Sequence, residues 1–186
     1  MNKSIILLIL FLLSVELVKA HNGHSHSDTS SVTLPVGINE FPTLHPLIVH
    51  FPIALLIAAS LLQFFSLRKK QKELHVIIVF LTVCGTAGGF LASYNFHPHT
   101  VALSPVASDL LKKHELYATI TIWLAGGAAL LKIFSLYRKK KGMEIITTLL
   151  LLASAVTISI TGHHGAELVH KFGIGPKGNY LENHNP

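Results

Sequence analysis

Thirteen histidines against nine acidic residues set this 186-residue chain apart chemically. Neutral imidazole ligates haem iron, copper and zinc, and near neutral pH it takes up and releases protons. His45 and His50 lie in LHPLIVHFP (Leu44 to Pro52), His114 in KKHEL, and His163 and His164 in TGHHGAEL. His45, His50, His114 and His163 are the candidate cofactor ligands, with His50 and His163 foremost. His164 is a weaker metal candidate. So are His21, His24 and His26 in HNGHSHSDTSS, a short polar leader whose imidazoles suit copper(II) or zinc. Glu115 follows His114 directly and Glu167 lies four residues after His163. Either carboxylate could hydrogen-bond an imidazole and fix its tautomer. No Cys-x-x-Cys-His occurs, which excludes covalent c-type haem. With no carboxylate pair, nucleophile elbow or phosphate loop, we assign no catalytic residue. The chain reads as a binding or electron-transfer subunit rather than a stand-alone enzyme.

Apolar runs must position these residues. Half of the chain is hydrophobic and its mean hydropathy is +0.53, values that point to a membrane class. Residues 1–20 combine Lys3, a short apolar centre and Val18-Lys19-Ala20, the pattern of a cleavable signal peptide. A histidine-containing leader over 21–43 precedes the membrane domain, 44–175, and a tail over 176–186 follows it. Four apolar segments, about 46–67, 74–95, 115–137 and 144–163, are each long enough to cross a bilayer core of about 30 Å at about 1.5 Å per residue. The fold class is therefore all-α: an antiparallel bundle of four transmembrane helices. Arg68, Lys69, Lys70 and Lys72 separate the first two segments, and Arg138 to Lys141 the last two. The positive-inside rule puts both basic loops in the cytoplasm and both termini in the periplasm of a bacterial inner membrane. The formal charge of +6 thus reflects topology, and no basic-aromatic patch suggests nucleic acid. Cys84, the single cysteine, cannot form an intrachain disulfide.

This orientation sorts the histidines. Counting toward the inner basic residues, His45 is 23 positions from Arg68, His114 is 24 from Arg138 and His163 is 22 from Lys141. Their heights then agree to about 3 Å, so three helices bring imidazole to the outer end of one bundle core. His50 lies about 7–8 Å deeper, where an ionisable side chain marks a functional site by default. Pro46 suits a first helical turn, whereas Pro52 leaves the carbonyl of Ile48 without its donor and permits a kink. In a straight helix His45 and His50 diverge by about 140° and do not chelate one ion together. His97 and His99 fall in the outer loop, and His75 faces the cytoplasm. CGTAGG (Cys84 to Gly89) and AGGAA (Ala125 to Ala129) either leave room for a planar cofactor or allow close helix packing. Lys132, about one and a half turns before a basic loop, is expected to snorkel to the headgroups without a role.

LHPLIVHFPIALL (Leu44 to Leu56), His114-Glu115 and GHHGAELVHKFGIG (Gly162 to Gly175) together resemble a bacterial membrane family, domain of unknown function 2231. Its members open with an LHPLLVHFP-like element and close with one like GHLGGELVYRHGVGV. The resemblance covers about 40–177 and departs at Ala166, for glycine, and His170, for tyrosine. Relatives fused to cytochrome c or Rieske-type modules imply an electron-transfer setting. The combined reading is a membrane bundle binding non-covalent haem b near the periplasmic face. It would pass electrons between quinol and a periplasmic cytochrome or Rieske-type protein. The alternatives are copper or zinc handling, and a structural subunit whose histidines only line the lipid interface.

Overall fold

A computed structural model describes residues 43–68, 71–138, 140–175 and 179–182. The expected signal peptide and His21, His24 and His26 lie outside these residues. Four helices follow in order: α1 (His45–Ser66), α2 (Lys72–Tyr94), α3 (Pro105–Arg138) and α4 (Lys141–His170). All four are long and apolar enough to cross a membrane. α1 packs on α2, α2 on α3, α3 on α4, and α4 returns to α1, which closes a four-membered ring. The start of α1 meets the end of α2, and the start of α4 meets the end of α1, so neighbours run antiparallel.

The centre is narrow and built largely from small side chains. Ala59, Ile78, Ala128 and Leu151, each 0 % exposed, bring one residue from every helix into a single apolar layer. Leu56, Ala125 and Ile158 form a second layer. Large apolar side chains point outward instead, as a bilayer solvent permits: Phe51, Phe64, Phe80, Leu130 and Leu149 are all exposed. Tyr94 and Tyr137, also exposed, stand at opposite ends of the bundle, where amphipathic rings meet headgroups.

Two helices differ from the apolar spans expected of them. α3 begins ten residues before the apolar run, because Ser104 and Pro105 start it and an amphipathic stretch follows. The Ala107 N–H donates to the Ser104 hydroxyl at 3.3 Å, and Pro105 needs no donor in the first turn. α4 runs on to His170, and Gly173 stops it at φ +66°, a conformation costly to residues with a Cβ. The two extensions pack together through Ala107, Leu168 and Ile174, with Leu103, Leu111 and Phe172 around them. The tail then folds over the α2–α3 loop. Val101 N–H donates to Tyr180 O at 2.9 Å, Glu182 N–H to His99 O at 3.0 Å, and Thr100 and Leu181 form an isolated antiparallel bridge.

Candidate functional site

Three imidazoles meet where α1, α2 and α3 come together at one end of the bundle. Ring centres of His45 and His97 are 5.3 Å apart, His45 and His114 6.4 Å, and His97 and His114 6.2 Å. Each helix-borne ring is fixed by the main chain of a neighbouring helix. His45 Nδ1–H donates to Ala92 O at 3.1 Å, and His114 Nδ1–H donates to Thr161 O at 3.0 Å. A carbonyl oxygen can only accept, so Nδ1 carries the proton and Nε2 of both neutral rings keeps its lone pair. His114 is 9 % exposed. Gly165 makes room for it, since a Cβ there would lie 3.3 Å from the ring's Cε1. The third ring, His97, comes from the α2–α3 loop, with Glu115 Oε1 4.0 Å from its Nε2.

Beneath the rings lies a mostly apolar cavity of about 380 Å³. Gly85, Gly89, Gly162 and Gly165 line it, together with Thr86, Thr121 and the ring of Pro52. The α2 glycines also serve close packing: a Cβ at Gly85 would meet Leu56 at 2.9 Å, and one at Gly88 would meet Pro52 at 3.3 Å. The close-packing reading of CGTAGG thus holds at Gly85 and Gly88, while Gly85 and Gly89 also border the cavity.

The remaining candidates take other positions. His50 sits at the exposed rim of the cavity, with Nδ1–H turned back on Pro46 O of its own helix, so it diverges from His45 as a spacing of five requires. His163 lies outside the constellation: its side chain is 72 % exposed and 3.8 Å from Glu167, and it borders a separate groove with Ile57 and Leu61. Two positions apart on α4, and so about 200° apart around it, His163 and Gly165 cannot both look inward, and the small residue takes the inner place. His164 packs against Tyr117, ring centres 5.6 Å apart, and leaves a buried Nδ1 without a partner. Glu167 hydrogen-bonds Lys171 as well as pairing with His163, and Glu115 lies 4.0 Å from His97. Among the described residues, no three His, Cys, Asp or Glu side chains already gather their donor atoms about one metal position.

Two features escaped sequence reasoning. His97, read as a loop residue, completes the triangle, and the signal for it was its place three residues past the end of α2. The second is Lys132, which does not snorkel. Its side chain is 0 % exposed and its Nζ donates to Glu144 Oε2 at 2.7 Å and to His75 Nδ1 at 2.6 Å. Burial with a carboxylate and an imidazole from two facing helices satisfies the ammonium inside the bundle.

No curated protein and no solved structure matches this chain. Residues 42–178 match the family described as Predicted membrane protein (DUF2231), and they include all three site histidines and both ends of the bundle: the chain belongs to that family.

Proposed function

We propose that this membrane protein holds a non-covalent haem b at His45 and His114 and serves electron transfer between a quinol and a periplasmic redox partner. One observation carries the reading: two imidazoles from different helices, each tied through Nδ1–H to a carbonyl, stand over a glycine-lined apolar cavity. Tying Nδ1 leaves Nε2 as the basic nitrogen and holds the ring still, the arrangement metal-ligating histidines adopt. Two imidazoles that would hold one iron, each through a nitrogen about 2 Å from it, stand about 6 Å apart at their ring centres. The 6.4 Å between His45 and His114 agrees. The cavity also falls in the range of about 300–1,000 Å³ typical of small-molecule sites. His97 stands beside both of these rings, 5.3 Å from His45 and 6.2 Å from His114. It is the one ring of the three carried by a loop.

When bound, haem would supply a one-electron couple, tuned by the His45 and His114 imidazoles that would hold it and by the apolar wall. The chain's own groups do the rest. The apolar walls keep water from the cofactor face. His97, with Glu115 beside it, accepts a proton from a quinol hydroxyl, and the exposed carboxylate passes it to the outer solvent.

A second reading has its own support. Ring centres 5.3 to 6.4 Å apart approach the spacing, about 5–6 Å, of three imidazoles around one copper or zinc ion. The test is an absorption spectrum and elemental analysis of full-length protein purified from membranes. Haem predicts a Soret band that shifts on dithionite reduction. It is lost in His45→Ala and His114→Ala and retained in His97→Ala and His163→Ala. Stoichiometric copper or zinc that disappears in all three of His45→Ala, His97→Ala and His114→Ala supports the second reading and overturns the first. Neither cofactor leaves a structural subunit and ends both.

A further inference from the structure

At the opposite end of the bundle a second polar cluster joins all four helices. Glu144 (α4) receives Lys132 Nζ at 2.7 Å and Gln63 Nε2 at 2.9 Å on the same oxygen, Oε2. Gln63 (α1) also donates to Thr148 at 3.2 Å. His75 (α2) meets Lys132 Nζ (α3) at 2.6 Å. We infer that His75, Lys132, Glu144 and Gln63 form a proton-binding site, loaded from water at the basic-loop end. This inference does not depend on what the outer histidines hold.

A purely structural device would need only the lysine and the carboxylate, since an ammonium and a carboxylate neutralise one another. A third titratable group is present, and its geometry decides the point. Lys132 can only donate, so His75 Nδ1 accepts, and the neutral ring carries its proton on Nε2. Two basic nitrogens 2.6 Å apart share one proton. A second cannot enter between them without parting them. Gln63 Oε1 is buried and has no partner, although its amide sits on the same carboxylate oxygen as Lys132. It is an acceptor in reserve for an ammonium N–H displaced from His75.

Access is one-sided. The side chains of His75 and Glu144 are 19 % and 17 % exposed, while Lys132 and Gln63 are 0 % exposed. Toward the middle of the bundle the apolar layer of Ala59, Ile78, Ala128 and Leu151 closes the way. Ser135 and Thr148 are the neutral polar neighbours, and Lys72 and Lys141, both exposed, lie three residues before His75 and Glu144 on their helices. The step is proton addition alone. A proton from water binds His75 Nδ1, the Lys132 N–H turns from His75 to Gln63 Oε1, and the cluster goes from net zero to +1. Nothing is oxidised or reduced.

The test is a pH titration by infrared difference spectroscopy of full-length protein in lipid nanodiscs, over the histidine range of about pH 5 to 8. Glu144→Gln identifies the Glu144 carboxylate band. The expected result is a wild-type step in which an imidazolium signal rises as that band shifts without disappearing. His75→Gln removes the step, and Gln63→Leu lowers its midpoint by about one pH unit or more. In vesicles with the basic loops outward, the step follows external pH. A wild-type titration that superimposes on that of His75→Gln, a Glu144 band that does not respond, or a step that follows internal pH overturns the inference. Should His75→Gln or Glu144→Gln not fold, Gln63→Leu keeps the ion pair, and its superposition on wild type overturns the inference equally.

Discussion

Single atoms decide which imidazoles meet. Gly165 lets the His114 ring lie against the α4 backbone, and a Cβ at 3.3 Å would press on it. Gly165→Val is therefore expected to displace His114 while the bundle still forms. The measurement is loss of the Soret band that the proposed haem would give, at an unchanged helical signal in circular dichroism. Gly165→Ala should lose less, because the ring need give only a few tenths of an ångström. At the other end, Lys132→Met strands Glu144 among partners arranged for a cation. Breaking a buried ion pair costs about 3–5 kcal/mol, and replacing both members costs far less. Thermal unfolding in detergent should show a large loss for Lys132→Met and substantial recovery in Lys132→Met combined with Glu144→Gln. The sequence made His45 and His114 legible through type and height. It concealed Lys132, because a lysine near a basic loop reads as surface unless the carboxylate on the facing helix is known. That pairing depends on the rotation of two helices, which spacing alone does not set.

At the scale of elements, small residues set how closely helices approach. Gly85 faces Leu56, which is only 1 % exposed and borders the same cavity. A Cβ at 2.9 Å therefore forces the Leu56 side chain to turn or α1 to move from α2. Gly85→Ala should destabilise by about 1–3 kcal/mol, the usual cost of overpacking, seen as a lower melting temperature. Pro52 explains why the contact is so close: its ring lies over Gly88 and Gly89, so the residue that removes a hydrogen bond in α1 fills the notch in α2. Membrane-spanning segments were readable from hydropathy, since every backbone group in lipid must be satisfied within a helix. The amphipathic turns that lengthen α3 were not, because their apolar residues match those of α4 rather than lipid. Leu168→Ala is expected to raise hydrogen exchange in 105–112 and 164–174 while the spans stay protected. Deleting a buried leucine costs about 2–5 kcal/mol, and here the loss falls on the extensions alone.

For the whole molecule, the two polar clusters lie at opposite ends of one insulated bundle, so which end faces which compartment governs any role. The two basic loops predict the Lys132 end in the cytoplasm and the histidine triangle outside. In a Cys84→Ser background, Asn179→Cys should react with a membrane-impermeant maleimide added to intact cells. Lys140→Cys should react only after permeabilisation. The reverse pattern would invert every assignment of sides. Which apolar segments span was legible at this scale. Closure of α4 onto α1, and so the separation of His163 from the cluster, depends on the order in which the helices surround the core. A chain of four similar apolar segments does not encode that order in any local pattern.

The strap formed by residues 179–182 ties the His97 loop to the chain's final residues. Tension applied beyond Glu182, by a purification tag, an antibody or a docked neighbour, would be felt at the third imidazole before it reached the lipid-embedded part. Placement of any label on this protein is thus itself an experimental variable, and the quietest place for one is on the opposite side of the bilayer.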